Sequence, residues 1–336
     1  MPEQLIFAME VTLNGLMTGV MYALVALGFV LIFKASGIFN YAQGVLALFA
    51  AMTLVGIQEG RVPFSHLINA IFGTELHYFS WHSETLMRDG FWIAFSIILT
   101  VGVMVAIAWA VQRFVFRHLV GQEPIILFMA TIGLAYFLEG VADLMWGSEI
   151  RTLDVGLPQG INLAIDETTY GWFGYGFFID NLDIAASIIA AILVAGLIAY
   201  SQYTKNGRAM RAVADDHQAA LSVGISLNFV WILVWSLAGF VALVAGIMWG
   251  SKSGVQFSLS LIALKALPVL MLGGFTSIPG AIVGGLIIGV GEALFEFAIG
   301  PLIGGATENW FAYVLALVFL VFRPQGLFGE KIIERV

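Results

Sequence analysis

The sequence predicts an all-α polytopic membrane protein with about nine (eight to ten) transmembrane helices. Three observations carry that expectation. The chain of 336 residues is 60% hydrophobic and only 11% charged, too little charge to coat a soluble domain of this size. Apolar segments close to membrane-crossing length recur from one end of the chain to the other. The Lys and Arg residues fall between those segments with a bias to alternate sides.

The first segment, 10–33, follows Glu3 and Glu10, and no Lys or Arg precedes Lys34. It lacks the basic leader of a secretion signal and is expected to be retained. Asn14, Thr18 and Tyr22 recur within it at i, i+4 and share a helix face, and Gly15/Gly19 form a small-xxx-small pair. The second segment, 38–57, opens with Asn40 and Gln43 at i, i+3. The third and fourth cover 91–112 and 125–146, and Glu139 and Asp143 lie close enough to the end of the fourth to be solvated. The fifth is 182–200. Beyond the polar loop 201–226 come 228–249, with Gly246/Gly250, and 259–273, with Lys265. Then follow 279–299, with Gly280/Gly284, Gly285/Gly289, Glu292 and Glu296, and 308–322. The spans 259–273 and 308–322 are short, so they are expected to be tilted, to sit in a thinned region or to be broken inside the protein. Gly273-Gly274-Phe275 and Ser277-Ile278-Pro279-Gly280 read as a cytoplasmic turn between two short spans. The small-xxx-small pairs read as tight packing within one bundle.

Placing the end of the first span inside puts Lys34, Arg113, Arg117, Lys205, Arg208, Arg211, Arg323, Lys331 and Arg335 in the cytoplasm. Only Arg61, Arg88, Arg151 and Lys252 fall outside, with Lys265 inside a span. The positive-inside rule favours this assignment over its inverse. It leaves two long external segments, 58–90 and 147–180. The first holds His66, His77 and His82 among aromatics such as Tyr78, Phe79, Trp81 and Trp92. The histidine spacing matches no compact ligand motif, so no metal is expected. The second combines Glu149, Asp154, Asp166, Glu167 and Asp180 with Gly and aromatics. Both segments suit an external partner, and 62–73 equally suits an interfacial helix at the bundle rim.

The loop 201–226 is an Ala-rich polar island with three cations (Lys205, Arg208, Arg211) and two acids (Asp215, Asp216). Its composition predicts a short surface helix ending in a Gly cap. It reads either as a handle for a soluble partner or as an ordinary solvated loop. Polar residues inside spans are few. Asn14, Thr18, Tyr22, Asn40 and Gln43 are either bundle glue or the lining of a pathway. Lys265 and Glu292 are costly at depth, which suggests a mutual pair.

Several chemistries are excluded. There is no cysteine, hence no disulfide or thiolate site. No Gly-x-x-x-x-Gly-Lys-Ser/Thr loop is present to cradle ATP phosphates, and no His-Glu-x-x-His or Gly-x-Ser-x-Gly occurs. No catalytic residue and no metal ligand is expected. The net charge of −8 and the lack of a clustered basic face argue against nucleic acid.

Four motifs, in order, resemble those of the inner-membrane permease of branched-chain amino acid ABC importers, in the shorter H-type. They are Phe33-Lys34 to Asn40-Tyr41-Ala42-Gln43-Gly44, the Gly207–Ile225 loop, Leu272 to Ala281 with Gly284-Gly285, and Phe322-Arg323-Pro324-Gln325-Gly326-Leu327-Phe328-Gly329. The resemblance spans almost the whole chain, although segment 58–90 is longer than it implies. It implies one transmembrane permease domain over 1–336, a type II-like bundle with a cytoplasmic coupling helix, in a bacterial inner membrane. Gln218-Ala219-Ala220-x-x-x-Gly224 resembles the importers' coupling loop, with Gln where the general pattern has Glu. Arg208, Arg211, Asp215, Gln218, Ala219, Ala220 and Gly224 are thereby candidates for ATPase coupling. The candidate pathway set is Asn14, Thr18, Tyr22, Asn40, Gln43, Lys265 and Glu292. The implied partners are a second homologous permease, two cytoplasmic ATPases that use ATP and Mg, a periplasmic binding protein and the lipid bilayer, with no cofactor on this chain. The implied cargo is a branched-chain amino acid or a related small polar solute (urea, a short amide, a small organic acid). The alternative is a stand-alone secondary transporter or channel, with a membrane-embedded enzyme third.

Overall fold

A computed structural model describes residues 3–75, 77–79, 89–119 and 121–329. Trp81, His82, Arg88, Lys331 and Arg335, with the side chain of His66, lie outside what is described. Among the described residues the regular elements are all helices, without a strand and with three isolated β-bridges. The helices are α1 (Glu3–Ser36), α2 (Gln43–Gln58), α3 (Ser65–Phe72), α4 (Gly90–Phe114), α5 (Pro124–Trp146), α6 (Leu163–Phe173), α7 (Asn181–Tyr203), α8 (Lys205–Asp215), α9 (His217–Ser222), α10 (Leu227–Ser253), α11 (Ile262–Gly273), α12 (Ile278–Ile303) and α13 (Phe311–Phe322).

Six of them, α1, α4, α5, α7, α10 and α12, are long and apolar enough to cross a membrane. Three apolar stretches are shorter: α2, α13, and a 3-10 turn at Phe257–Leu261 that runs into α11. A helix of 12 residues, as in α13, rises only ~18 Å against a hydrocarbon core of ~30 Å. By length and composition alone, six crossings are identified among the described residues. Of the two spans flanking the Gly274–Ser277 turn, only the first is short, since α12 has 26 residues.

The chain forms two compact units. The first comprises residues 1–30, 157–200 and 264–336. Its α1 and α12 meet backbone to backbone along a glycine seam. A Cβ added at Gly19 would stand 2.5 Å from the Gly285 carbonyl oxygen, and one at Gly15 would stand 2.8 Å from that of Gly289. Only glycine permits this approach. Two of the resemblance motifs also meet here. The Leu327 amide donates to the Leu272 carbonyl at 2.8 Å, and the Phe328 amide to the Gly273 carbonyl at 3.1 Å. At the other end Ile6 packs with Phe177 and Ile179, and the Phe178 amide donates to Glu10 Oε1 at 3.1 Å.

The second unit comprises residues 31–156 and 201–263. The mostly buried α10 is its centre. A Cβ at Gly246 would lie 2.5 Å from the Ala47 carbonyl of α2, and Gly239 faces Met104 of α4. Trp146, at the end of α5, lies flat against Gly56 and donates from Nε1 to Thr53 Oγ1 at 3.3 Å. The loops at this end are tied by charge and backbone. Arg61 Nε sits 2.6 Å from Glu59, Arg151 Nε sits 3.9 Å from the same carboxylate, and the Arg151 backbone pairs with Val255. Helix α3 is preceded by Phe64, whose φ of +59° is left-handed, and it leaves Leu67, Ile71 and Phe72 exposed.

Candidate functional site

The polar island folds as two helices instead of one. The Thr204 hydroxyl caps α8, accepting from the Gly207 amide at 2.9 Å. The helix stops at Asp216, which is extended (φ −158°, ψ 114°). Asp216 Oδ1 accepts from the amides of Gln218 at 2.7 Å and Ala219 at 3.0 Å. An N-cap residue cannot itself be helical, so one continuous helix is excluded. The same two amides hold the Asp216 carboxyl below the usual carboxylate range, Ala219 contributing most. Gly224 does close the element, at φ +84°.

This element is pinned from beneath. Gly207, Met210 and Val213 recur at i, i+3, i+6 and are buried. The Arg211 guanidinium donates to the Ser201 carbonyl. His217 stands edge-on to Trp231, with Nε2 3.3 Å from the Ala35 carbonyl. Among the sequence-predicted coupling residues, Arg208, Asp215, Gln218, Ala219 and Gly224 are exposed, and Arg211 is half-buried. Ala220, at 2% exposure, is buried against its own unit. Sequence reasoning passed over Leu221 and Val223, which are 53% and 75% exposed. Two large apolar side chains at the end of a polar loop were the available signal.

The polar residues of the spans fall into two groups. In the second unit, Asn40 and Gln43 are fully buried and satisfy each other. Asn40 Nδ2 donates to Gln43 Oε1 at 3.3 Å, Gln43 Nε2 donates to the Ala238 carbonyl at 3.3 Å, and Asn40 Oδ1 accepts the Ala42 amide at 3.1 Å. That arrangement has the form of bundle glue. In the first unit, Tyr22 and Lys265 converge on the buried Glu292. The Tyr22 hydroxyl donates to Oε2 at 3.1 Å, and Lys265 Nζ reaches Oε1 at 3.4 Å. Lys265 also donates to the Glu308 carbonyl at 2.6 Å and stands 5.9 Å from the centre of the Tyr22 ring. Asn14 donates to the Phe178 carbonyl at 3.4 Å, and Thr18 is half-buried. Asp143 is exposed and Glu139 half-buried. No cluster of three His, Asp or Glu among the described residues could hold a metal.

The family described as branched-chain amino acid transport system / permease component matches residues 11–323. The high-affinity branched-chain amino acid transport system permease protein LivH of Escherichia coli (strain K12) is 26% identical over 348 residues, covering all of both chains. Its counterpart BraD of Pseudomonas aeruginosa is 28% identical, again over the full length of both. The fructose import permease protein FrcC of Rhizobium meliloti is 26% identical over 70% of this chain and 62% of its own.

Proposed function

The chain belongs to the family of branched-chain amino acid transport system permease components, and on that premise we propose that it carries branched-chain amino acids, or a related small polar solute, inward across a bacterial inner membrane. It does so as one subunit of an ATP-driven importer, beside a second homologous permease, two cytoplasmic ATPases and a periplasmic binding protein. ATP and Mg belong to the ATPases. This chain, a single permease domain of about nine crossing helices on a type II-like plan, contributes the path. The three short apolar stretches, α2, 257–273 and α13, bring the six long helices to that number.

The observation that carries the reading is the α8–α9 element. It is small-sided, outward-facing at Gln218 and Ala219, and pinned to its unit at Gly207, Met210, Val213 and Ala220. Such an element transmits a push without bending. We assign Arg208, Arg211, Asp215, Gln218, Ala219, Ala220 and Gly224 to coupling, with Ala220 acting as the pin and Leu221 and Val223 joining the contact face. Ala219→Trp should leave the permease in the membrane, abolish uptake and release the ATPase on purification. Normal uptake with an intact complex would overturn the assignment.

Asn14, Thr18, Tyr22, Lys265 and Glu292 are proposed to line the path, with Asn40 and Gln43 shaping it from buried positions. Cysteines placed at Asn14 and Thr18 in this Cys-free chain should react with water-soluble thiol reagents, and faster under turnover. Segments 58–90 and 147–180 are the proposed platform for the binding protein, with Asp154, Asp166 and Glu167 steering its approach. Affinity should then fall as salt shortens the Debye length below ~8 Å.

A further inference from the structure

At the outer end of the second unit, between α2, α4 and the end of α5, lies an apolar groove of about 410 Å³ that the transport reading does not use. One wall is a single face of α4: Trp92, Phe95, Leu99 and Val103. Trp146 stands opposite, and Arg61 lies at one end. Phe95 and Leu99 are each 44% exposed, so the groove opens sideways from a membrane-crossing helix.

Its length and its polarity point to the same occupant. From Trp92 to Val103 is eleven positions, a rise of ~16 Å. Half of a ~30 Å hydrocarbon core is ~15 Å. Trp92 stands in the first turn of α4, where aromatic side chains mark the interface. The groove therefore runs from the interface to the midplane, the depth of one leaflet. Arg61 is the one charged residue in the lining, and the charges linked to it balance. Arg61 and Arg151 face Glu59 and Glu149. Glu59 holds Arg61 tightly at Nε, but the two outer nitrogens reach Glu149 only at 3.4 and 3.5 Å, and the Glu149 side chain is 71% exposed. That long contact can open without stranding a buried charge. An anionic headgroup would find no excess positive charge here. A zwitterionic headgroup finds a partner for each end.

We propose that this groove and its rim bind one zwitterionic phospholipid, phosphatidylethanolamine in type, from the leaflet on the side of residues 58–90. One acyl chain lies along α4, the phosphate rests on the outer nitrogens of Arg61, and the ammonium rests on Glu149. The inference needs only that α4 spans the membrane, and it stands or falls independently of the coupling and pathway assignments.

The test is lipid retention in native mass spectrometry after reconstitution in nanodiscs of equal phosphatidylethanolamine and phosphatidylglycerol. Wild type should retain one lipid, predominantly phosphatidylethanolamine. Glu149→Gln, at an exposed position, should lower the preference over phosphatidylglycerol about fivefold, as expected for one partly exposed charge contact. Leu99→Trp should fill the groove and remove the retained lipid whatever its headgroup. In wild type, phosphatidylethanolamine brominated in mid-chain should quench the part of the tryptophan emission that Trp92→Phe removes. Equal retention of the two lipids, or a preference untouched by Glu149→Gln, overturns the headgroup assignment. Retention unchanged in Leu99→Trp, or no quenching, overturns the groove. So does a second copy of the chain crosslinked across Leu99 with no lipid retained.

Discussion

The two units handle polar side chains inside their spans in opposite ways. In the second unit, Asn40 and Gln43 are neutral and closed upon each other and the Ala238 carbonyl. In the first, Glu292 is a buried acid held by a tyrosine and by a lysine at 3.4 Å, and the Lys265 side chain is still 24% exposed. A neutral amide knot costs little once every group is bonded, and it fixes the geometry around it. A buried ion pair seldom repays its desolvation, and packed apolar residues usually hold a structure as well or better. Stability thus accounts for the amide knot and not for the ion pair. A function for intramembrane polarity is therefore to be sought in the first unit.

The comparison is broken most forcefully at Glu292. Glu292→Ala strands Lys265 and should cost about 3 kcal/mol in thermal or denaturant unfolding, the low end for a buried pair because Lys265 retains some access to water. The double variant Lys265→Met/Glu292→Met should unfold within ~1 kcal/mol of wild type while uptake is lost. If the double is as unstable as the single, the pair serves the fold and the contrast between the units collapses. Gln43→Ala leaves Asn40 and the Ala238 carbonyl short of a partner and should cost about 2 kcal/mol. Asn40→Ala should cost the same, and the two together much less than their sum. Additive losses would mean that no knot exists.

The smallest effect separates a carboxylate held by side chains from one held by backbone. Asp216 has a folded-state pKa below its ordinary value of 3.8. Its contribution to the α9 cap is therefore complete above that value and is lost as pH falls through the lower folded value. Amide protection of residues 217–222, corrected for intrinsic exchange, should decline as pH drops below about 4. Asp216→Asn keeps a capping oxygen and should show no such decline.

The sequence carried the features that follow from local cost. Charges at depth require partners, so Lys265 and Glu292 could be paired on the page before any fold was known. Paired glycines at helical spacing announced close helix approach. Their mates were not legible, because the match of Gly19 to Gly285 depends on which helices become neighbours. The break at Asp216 was legible in principle, since Asp favours a cap over a helix interior, but the Ala-rich surroundings outweighed one residue. Which of Ala219 and Ala220 faces outward depends on where that break falls, so that distinction was not legible. The groove beside α4 was hidden for the same reason as the glycine mates: its walls come from separate stretches of chain.

The seam of α1 and α12 also sets a schedule. Tyr22 and Glu292 are separated by 270 residues, which a ribosome adding ~5–20 residues per second takes about 15–50 s to synthesise. For that interval α1 sits in the membrane with Gly15 and Gly19 unmated and with Tyr22 facing lipid or whatever holds the nascent chain. Every intermediate length before Gly285 emerges is thus a chain whose first helix lacks its seam partner. A copy truncated before α12 thus differs from a complete one by an open glycine face on α1.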